Sequence, residues 1–275
     1  MNPADGAAGQ AWRPAVVATD LDGTIVGSDG TISARTRAAL SLVEESGSWL
    51  VLATGRPQRW LGPIAEQTGH RGLAICSNGA LLYDLHTETV LESQLLTPQQ
   101  LSDLCRTLRS DLPELAFAVE YGDRLAHEPH YPVRFPAPDH RAVELAELCA
   151  APAVKLLARH ARMDPDSLLM RARSVAGHLG EFTHSSRDGL LEISAPGVSK
   201  ASGLARFCAE RGVDAGQVLA FGDMPNDLPM LTWAGRAYAM ANAHPQVLQT
   251  VGRMAPSVHD DGVAVVLEEL FSSRT

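Results

Sequence analysis

Two aspartates, Asp20 and Asp22, stand two residues apart where the apolar run Ala15-Val16-Val17-Ala18 gives way to Asp20-Leu21-Asp22-Gly23-Thr24. Alternation along an ending strand lets both carboxylates face one pocket, and Gly23 lets the chain turn sharply. Two close carboxylates repel, which raises one pKa unless a cation relieves them. A third, Asp223, follows another apolar run, with Asn226 and Asp227 just beyond it. Such a set suits a hard, oxygen-seeking cation that keeps several waters, Mg2+. A phosphate-like anion beside these carboxylates needs further counter-charge, and Lys200 offers it as a compact ammonium. Lysine occurs only at Lys155 and Lys200 among 23 basic residues, so each retained lysine raises the question whether a guanidinium would fail there. Thr54 adds a hydroxyl donor. Each residue alone reads equally well as a turn former. Their convergence at four strand ends is what points to chemistry.

The elements that must position them follow from pattern. Short apolar runs at Ala15–Ala18 (half β-branched), Trp49–Ala53, Leu73–Cys76, Leu190–Ile193 and Val218–Phe221 predict strands of a buried sheet. Ser33 predicts the N-cap of a helix through Ala39, Leu40 and Val43 that stops at Gly47. Further helices are predicted with a kink at Gly62-Pro63, and over 98–110, 140–149, 165–179, 200–211, 226–234 and 262–271. Strands alternating with helices predict a doubly wound parallel sheet, a Rossmann-like α/β core. In such sheets ligands bind beyond the carboxyl ends of the strands. The rhythm changes near Tyr83, where turn residues thicken, and returns after Gly189. The expected organisation is a core of 14–84 and 190–275, an inserted α/β cap domain of 85–189 with hinges near Tyr83–Leu85 and Gly189, and a flexible leader of 1–13.

Taken together, Asp20-Leu21-Asp22-Gly23-Thr24, Thr54-Gly55-Arg56, Lys200 and Gly222-Asp223-x-x-Asn226-Asp227 resemble the haloacid dehalogenase superfamily, and more narrowly its Cof-type phosphatase branch. Ser77-Asn78-Gly79-Ala80, Pro196-Gly197-Val198-Ser199-Lys200, Ala239-Met240-Ala241-Asn242-Ala243 and Asp261-Gly262-Val263-Ala264 resemble further stretches of that branch. The resemblance spans about 15–83 and 190–267; through the middle third it rests on length and element order. It implies a Mg2+-dependent phosphatase acting on a small phosphorylated metabolite, a sugar phosphate or phosphorylated cofactor. Asp20 would be the nucleophile that forms an aspartyl-phosphate. Asp22 would be general acid and then general base. Thr54 and Lys200 would hold the transferring group, with Arg56, Asn78 and Asn226 as further substrate contacts. Mg2+ would be bound by the Asp20 carboxylate, the Asp22 main-chain carbonyl and Asp223, with Asp227 in support. Met224-Pro225 stiffens the Gly222–Asp227 loop without removing a ligand, and Met254-Ala255-Pro256 departs from an Ala-Asp pair of many relatives. The competing readings are a sugar phosphomutase or other phosphotransferase, and a non-catalytic phosphate-binding module.

Composition narrows the rest. The chain has 275 residues, 45% hydrophobic, with a formal net charge of −9 and no basic run, which disfavours nucleic-acid binding. No apolar run reaches the ~20 residues of a membrane span. Cys76, Cys105, Cys149 and Cys208 form no C-x-x-C, which fits a reducing cytosol and a cytoplasmic protein, monomer or homodimer. His127-Glu128-Pro129-His130 is one residue short of H-E-x-x-H and broken by proline, so it predicts a solvated loop. No P-loop occurs. Ser186-Arg187-Asp188-Gly189 predicts a hairpin turn. Tyr131, Arg134, Arg159 and His184 are the candidate cap contacts for a polar or sugar-like leaving group.

Overall fold

The computed structural model describes residues 12–133, 138–185 and 189–271. In chain order its elements are β1 (Val16–Thr19), α1 (Ala34–Glu45), β2 (Trp49–Ala53), α2 (Gly62–Thr68), β3 (Leu73–Cys76), β4 (Leu81–Asp84), β5 (Thr89–Ser93), α3 (Pro98–Asp111), β6 (Ala116–Glu120), β7 (Leu125–His127), β8 (His140–Ala142) and α4 (Leu145–Leu148). They continue with β9 (Lys155–Arg159), α5 (Pro165–Ala176), β10 (Glu181–Thr183), β11 (Leu190–Ser194), α6 (Lys200–Glu210), β12 (Val218–Gly222), α7 (Leu228–Trp233), β13 (Arg236–Met240), α8 (Pro245–Thr250), β14 (Met254–Ala255) and α9 (Gly262–Phe271).

Two sheets result. The larger runs β14-β13-β12-β1-β2-β3-β4-β5, parallel from β14 to β3 and finished by the antiparallel pairs β3–β4 and β4–β5. Side chains alternate across it: Val16 and Ala18 pack with Leu204, Phe207 and Met230 from α6 and α7, while Val17 packs with Leu40, Val43 and Leu267 from α1 and α9. That period of two explains why the central strands are apolar throughout: both faces are covered by helices. The smaller sheet, β10-β11-β9-β6-β7-β8, is antiparallel except for β7–β8, and forms the cap with α3 and α5. The α/β core with an inserted α/β cap is therefore as the sequence implied.

Several local expectations are corrected. Leu190–Ser194, expected in the core, forms β11 of the cap sheet between β9 and β10. Thr89–Ser93 was placed with the cap, yet β5 is the edge of the core sheet. An alternating or apolar strand pattern specifies burial and not the partner, so only pairing could decide these. The hinge expectations move with them. Tyr83 lies in the paired strand β4, and Gly189 accepts a hydrogen bond from His160 N–H at 3.0 Å within the cap. Gly62-Pro63 is no kink: α2 begins there, because proline suits a first helical turn that needs no donor. Residues 140–149, expected as a helix, split into β8 and the single turn α4. Trp12 and Arg13 are not loose: Trp12 Nε1 donates to the Gly216 carbonyl at 3.3 Å and Arg236 stacks on its ring. Glu128 is buried rather than solvated, and accepts hydrogen bonds from Arg109 at 2.5 Å and Phe117 N–H at 2.8 Å. The rest of the leader, Arg134 and Ser186 to Asp188 lie outside the described residues.

Candidate active site

The chemistry-bearing residues gather at the carboxyl edge of the core sheet. Asp20 follows β1 and donates its backbone N–H to the Phe221 carbonyl at 3.0 Å, which ties it to β12. The chain then folds tightly: the N–H groups of Ile25 and Val26 both return to the Leu21 carbonyl. Gly23 is required at this turn, since its φ is +79° and a Cβ there would sit 2.3 Å from Asp223 Oδ2. Thr54 follows β2, and Asn78 follows β3 with φ +59°, a left-handed conformation that costs a non-glycine residue on the order of 1 kcal/mol or more. Backbone bonds hold it there: Asn78 N–H to the Thr54 carbonyl at 2.9 Å and Ser77 N–H to the Arg56 carbonyl at 3.0 Å. Lys200 opens α6 behind the Ser199 N-cap.

Asp20, Asp223 and Asp227 are buried, and one carboxylate oxygen from each lies within 4.8 Å of the others. Lys200 Nζ, fully buried, donates to Asp20 Oδ1 and to Asp227 Oδ1 at 2.6 Å each. Asp227 Oδ2 accepts the N–H groups of Asp223 and Met224 at 3.0 Å, so Asp227 shapes the loop as well as pairing the lysine. Burial, and then repulsion from Asp227, push Asp20 up to about 7 although Lys200 opposes the rise. Burial, with Asp20 and Asp227, pushes Asp223 up to about 9. Burial acts against the charge on Lys200, but the Asp20 and Asp227 carboxylates override it and hold the ammonium above the ordinary lysine range. The ammonium leaves the negative charge of three carboxylates only partly offset. An all-oxygen donor set in that state fits a divalent hard cation.

The same shifts fix a pH dependence. In the unfolded chain both aspartates ionise near 3.8, whereas in the fold they hold their protons to about 7 and about 9. The folded protein therefore binds more protons across that window, and its metal-free stability falls as pH rises through it. The melting temperature in EDTA is expected to drop between pH 5 and pH 8.5, and added Mg2+ to raise it more at pH 8.5 than at pH 5. Asp223→Asn should flatten the slope; a metal-free melting temperature whose pH slope is unchanged by that substitution would contradict the assignment.

Asp22 does not join the cluster through its carboxylate. Its side chain is half exposed, and Arg56 clamps it with Nε at 2.8 Å and Nη2 at 2.5 Å. Thr54 Oγ1 accepts the Arg56 N–H at 3.0 Å. Asn78, expected to touch substrate, has both ends of its amide occupied: Oδ1 accepts from Asn226 Nδ2 at 3.0 Å and Nδ2 donates to Glu192 Oε2 at 2.9 Å. Asn226 itself borders the cavity.

A chain of buried polar contacts missed in the sequence begins at that amide. Glu192 Oε2 also pairs with Lys155 Nζ at 2.6 Å, and Lys155 donates to the Gly55 carbonyl at 2.8 Å. Burial acts against the charge on Glu192, but Lys155 overrides it and holds the carboxyl below its usual range. Cap residues thus grip the two core loops that carry Thr54 and Asn78. Two signals were present: a glutamate inside an apolar strand must have a partner, and Lys155 is one of only two lysines. Arg59 forms another bridge, to Glu120 at 2.6 Å and Asp139 at 2.8 Å across the same gap.

Between core and cap lies a cavity of about 660 Å³, floored by Asp20, Asp22 and Arg56 and roofed by Tyr131, Leu157 and Arg159. Tyr131 and Arg159, both expected cap contacts, border it. His184 does not; it sits on another seam, against Asp166 at 2.9 Å.

A parallel sheet with an inserted cap, and aspartates from two neighbouring strand ends beside a buried lysine, define the haloacid dehalogenase-like hydrolases. The chain belongs to this family: residues 17–267 match its model, and the Cof-type resemblance is borne out. It is 27% identical to the 5-amino-6-(5-phospho-D-ribitylamino)uracil phosphatase YitU of Bacillus subtilis over 94% of this chain and 98% of that protein. It is 29% identical to the pyridoxal phosphate phosphatase YbhA of Escherichia coli over 83% and 88%. Among solved structures, a phosphatase of the superfamily from Bacteroides thetaiotaomicron superposes with a TM-score of 0.81 over 97% of this chain and 98% of that one, at 23% identity.

Proposed function

We propose that the protein is a Mg2+-dependent phosphoric monoester hydrolase that acts on a small phosphorylated metabolite, a sugar phosphate or phosphorylated cofactor, through an aspartyl-phosphate on Asp20. The observation that carries this reading is Lys200 Nζ held 2.6 Å from both Asp20 and Asp227 among three buried carboxylates beside the cavity. Bound by the Asp20 carboxylate, the Asp22 main-chain carbonyl and Asp223, with Asp227 in support, Mg2+ would neutralise charge on the transferring phosphoryl group.

The chain's own side chains do the rest. An Asp20 carboxylate oxygen attacks phosphorus as the bond to the leaving oxygen breaks. Asp22 gives a proton to that oxygen, then takes one from the water that hydrolyses the acyl phosphate. Both its oxygens accept from Arg56 in this structure, so Asp22 takes up the proton it delivers when one of these bonds opens; Arg56 is thus a positioning group as well as a candidate substrate contact. Thr54 and Lys200 hold phosphoryl oxygens, and Asn78 fixes Asn226 at the cavity edge. The cap, whose sheet is made of β6 to β11, covers the site during transfer. Trp60 and Tyr131 in the cavity wall suit a ring-bearing leaving group, in keeping with relatives named for pyridoxal phosphate and for a phosphoribitylaminouracil.

No helix among the described residues is long and apolar enough to cross a membrane. All four cysteines are unpaired and buried, which supports a cytoplasmic setting.

The test is hydrolysis of a generic aryl phosphate. Free phosphate is expected with Mg2+ and none in EDTA. Transfer to a sugar acceptor with little phosphate released would turn the assignment to a phosphotransferase, and no turnover at all would sink it. A panel of phosphorylated metabolites, scored by phosphate release, then identifies the substrate.

A further inference from the structure

A second convergence of metal-ligating side chains lies on another seam between cap and core. Asp166 is in the first turn of α5, His184 follows β10, and His244 precedes α8. His184 Nε2 is 2.9 Å from Asp166 Oδ1, and His244 Nε2 is 3.3 Å from Asp166 Oδ2. One ligand atom from each residue lies within 4.8 Å of the others. The two imidazoles meet edge to face with centroids 5.7 Å apart. His184 is fully buried, so its ring is held by packing. A cleft of about 480 Å³ bordered by Asp166, His244 and Gln249 opens the cluster to solvent.

Two imidazoles and a carboxylate are the donor set of zinc-type centres, with water in the fourth place. Bonds of about 2.0–2.1 Å in a tetrahedron put neighbouring ligand atoms about 3.3 Å apart. The 2.9 and 3.3 Å separations run to the two different oxygens of Asp166, and with one oxygen as ligand the three donor atoms lie within 4.8 Å of one another, a spacing that a small closure brings to that of a bound ion. Binding moves the hydrogen of each ring from Nε2 to Nδ1. For His184 this hydrogen goes to a buried Nδ1 that has no acceptor among the described residues, a cost that the metal bonds must outweigh. For His244 it displaces the Gln246 N–H, a 3.3 Å contact at an exposed helix start where water can replace it.

We propose that Asp166, His184 and His244 form a second metal site, selective for Zn2+-class divalent ions over Mg2+, that ties the cap to the core. Imidazole donors give the selectivity, since Mg2+ prefers oxygen ligands and retains its waters. Because the ligands come from both bodies, an ion bound there holds the cap down and slows turnover; that consequence rests on the covering role given to the cap above.

The probe is Co2+, titrated into the full chain in excess Mg2+ so that the aspartate cluster is occupied. The wild type is expected to develop the intense visible band of four-coordinate Co2+ at one equivalent. His244→Gln and Asp166→Asn should weaken binding by on the order of 100-fold or more while Mg2+-dependent hydrolysis persists. Micromolar Zn2+ should slow the wild type several-fold and leave His244→Gln unaffected. Absence of the band in the wild type, or its survival in both variants, would leave a hydrogen-bonded clasp and overturn the site; equal zinc inhibition of both proteins would overturn the tie. The band is read without any phosphate ester, so this outcome is independent of whether the protein is a phosphatase.

Discussion

Asp20→Asn is expected to lower kcat for aryl phosphate hydrolysis by roughly 10⁴-fold or more, with the fold intact. The amide keeps the shape of the side chain but cannot attack phosphorus to form an acyl phosphate. Its structural effect should run the other way. Asp20 is buried beside Asp227 and pushed up to about 7, so removing its charge relieves repulsion among the carboxylates. The metal-free variant should therefore melt at or above the wild-type temperature near pH 8. Loss of activity together with gained thermal stability separates a nucleophile from a residue that merely supports the fold. Quench experiments on the wild type should trap phosphate on the protein, and Asp20→Asn should trap none. Full activity in the variant would falsify the proposed nucleophile.

Lys200→Met is expected to be the most damaging single change in the core. It leaves Asp20 and Asp227 without the ammonium that each contacts at 2.6 Å in a fully buried setting. Removing one partner of a buried ion pair typically costs about 3–5 kcal/mol. Protonation of Asp20 can offset part of that, so a loss of about 3 kcal/mol, or roughly 6–12 °C in melting temperature, is the expectation at neutral pH. The loss should shrink at pH 5, where the carboxylates carry protons more readily, and activity should be absent at both. Lys200→Arg should not rescue the protein. A guanidinium is broader than an ammonium, and no part of the Lys200 side chain reaches solvent. Chemical denaturation at the two pH values measures this, and an equal destabilisation at both would contradict the charge-based account. In a chain whose other basic residues, Lys155 apart, are all arginine, this is a physical reason for lysine at this place.

Much of the site could be read before any coordinates. Asp20, Asp22, Thr54, Asn78 and Asp223 each stand just past an apolar run, and strand ends on one edge of a parallel sheet are necessarily neighbours. What could not be read is how each side chain is occupied. Arg56 is spent on Asp22 and Asn78 on Glu192 and Asn226, while His184 turns away from the cavity to Asp166. These pairings depend on rotamers and on docking of the cap, for which spacing along the chain carries no signal. The sheet to which a strand belongs is hidden for the same reason. Leu190–Ser194 and Thr89–Ser93 were recognisable as strands or strand-like, but membership of one sheet or the other is decided by backbone pairing with residues far away.

The acidic residues, the lysine and their order along the chain are local information: the loop after β1, the lysine that opens α6 and the acidic loop after β12 are fixed by apolar runs, a glycine turn and an N-cap. The tertiary structure alone decided which distant groups share a buried charge. Lys155 reaches Gly55, Glu192 reaches Asn78, and Asp166 reaches His244, only because the two sheets are pressed together. Short-range sterics and hydrogen bonding write the first kind of information into neighbouring residues. The second arises when desolvation of a cap–core interface leaves each buried polar group needing a partner, wherever in the chain that partner lies.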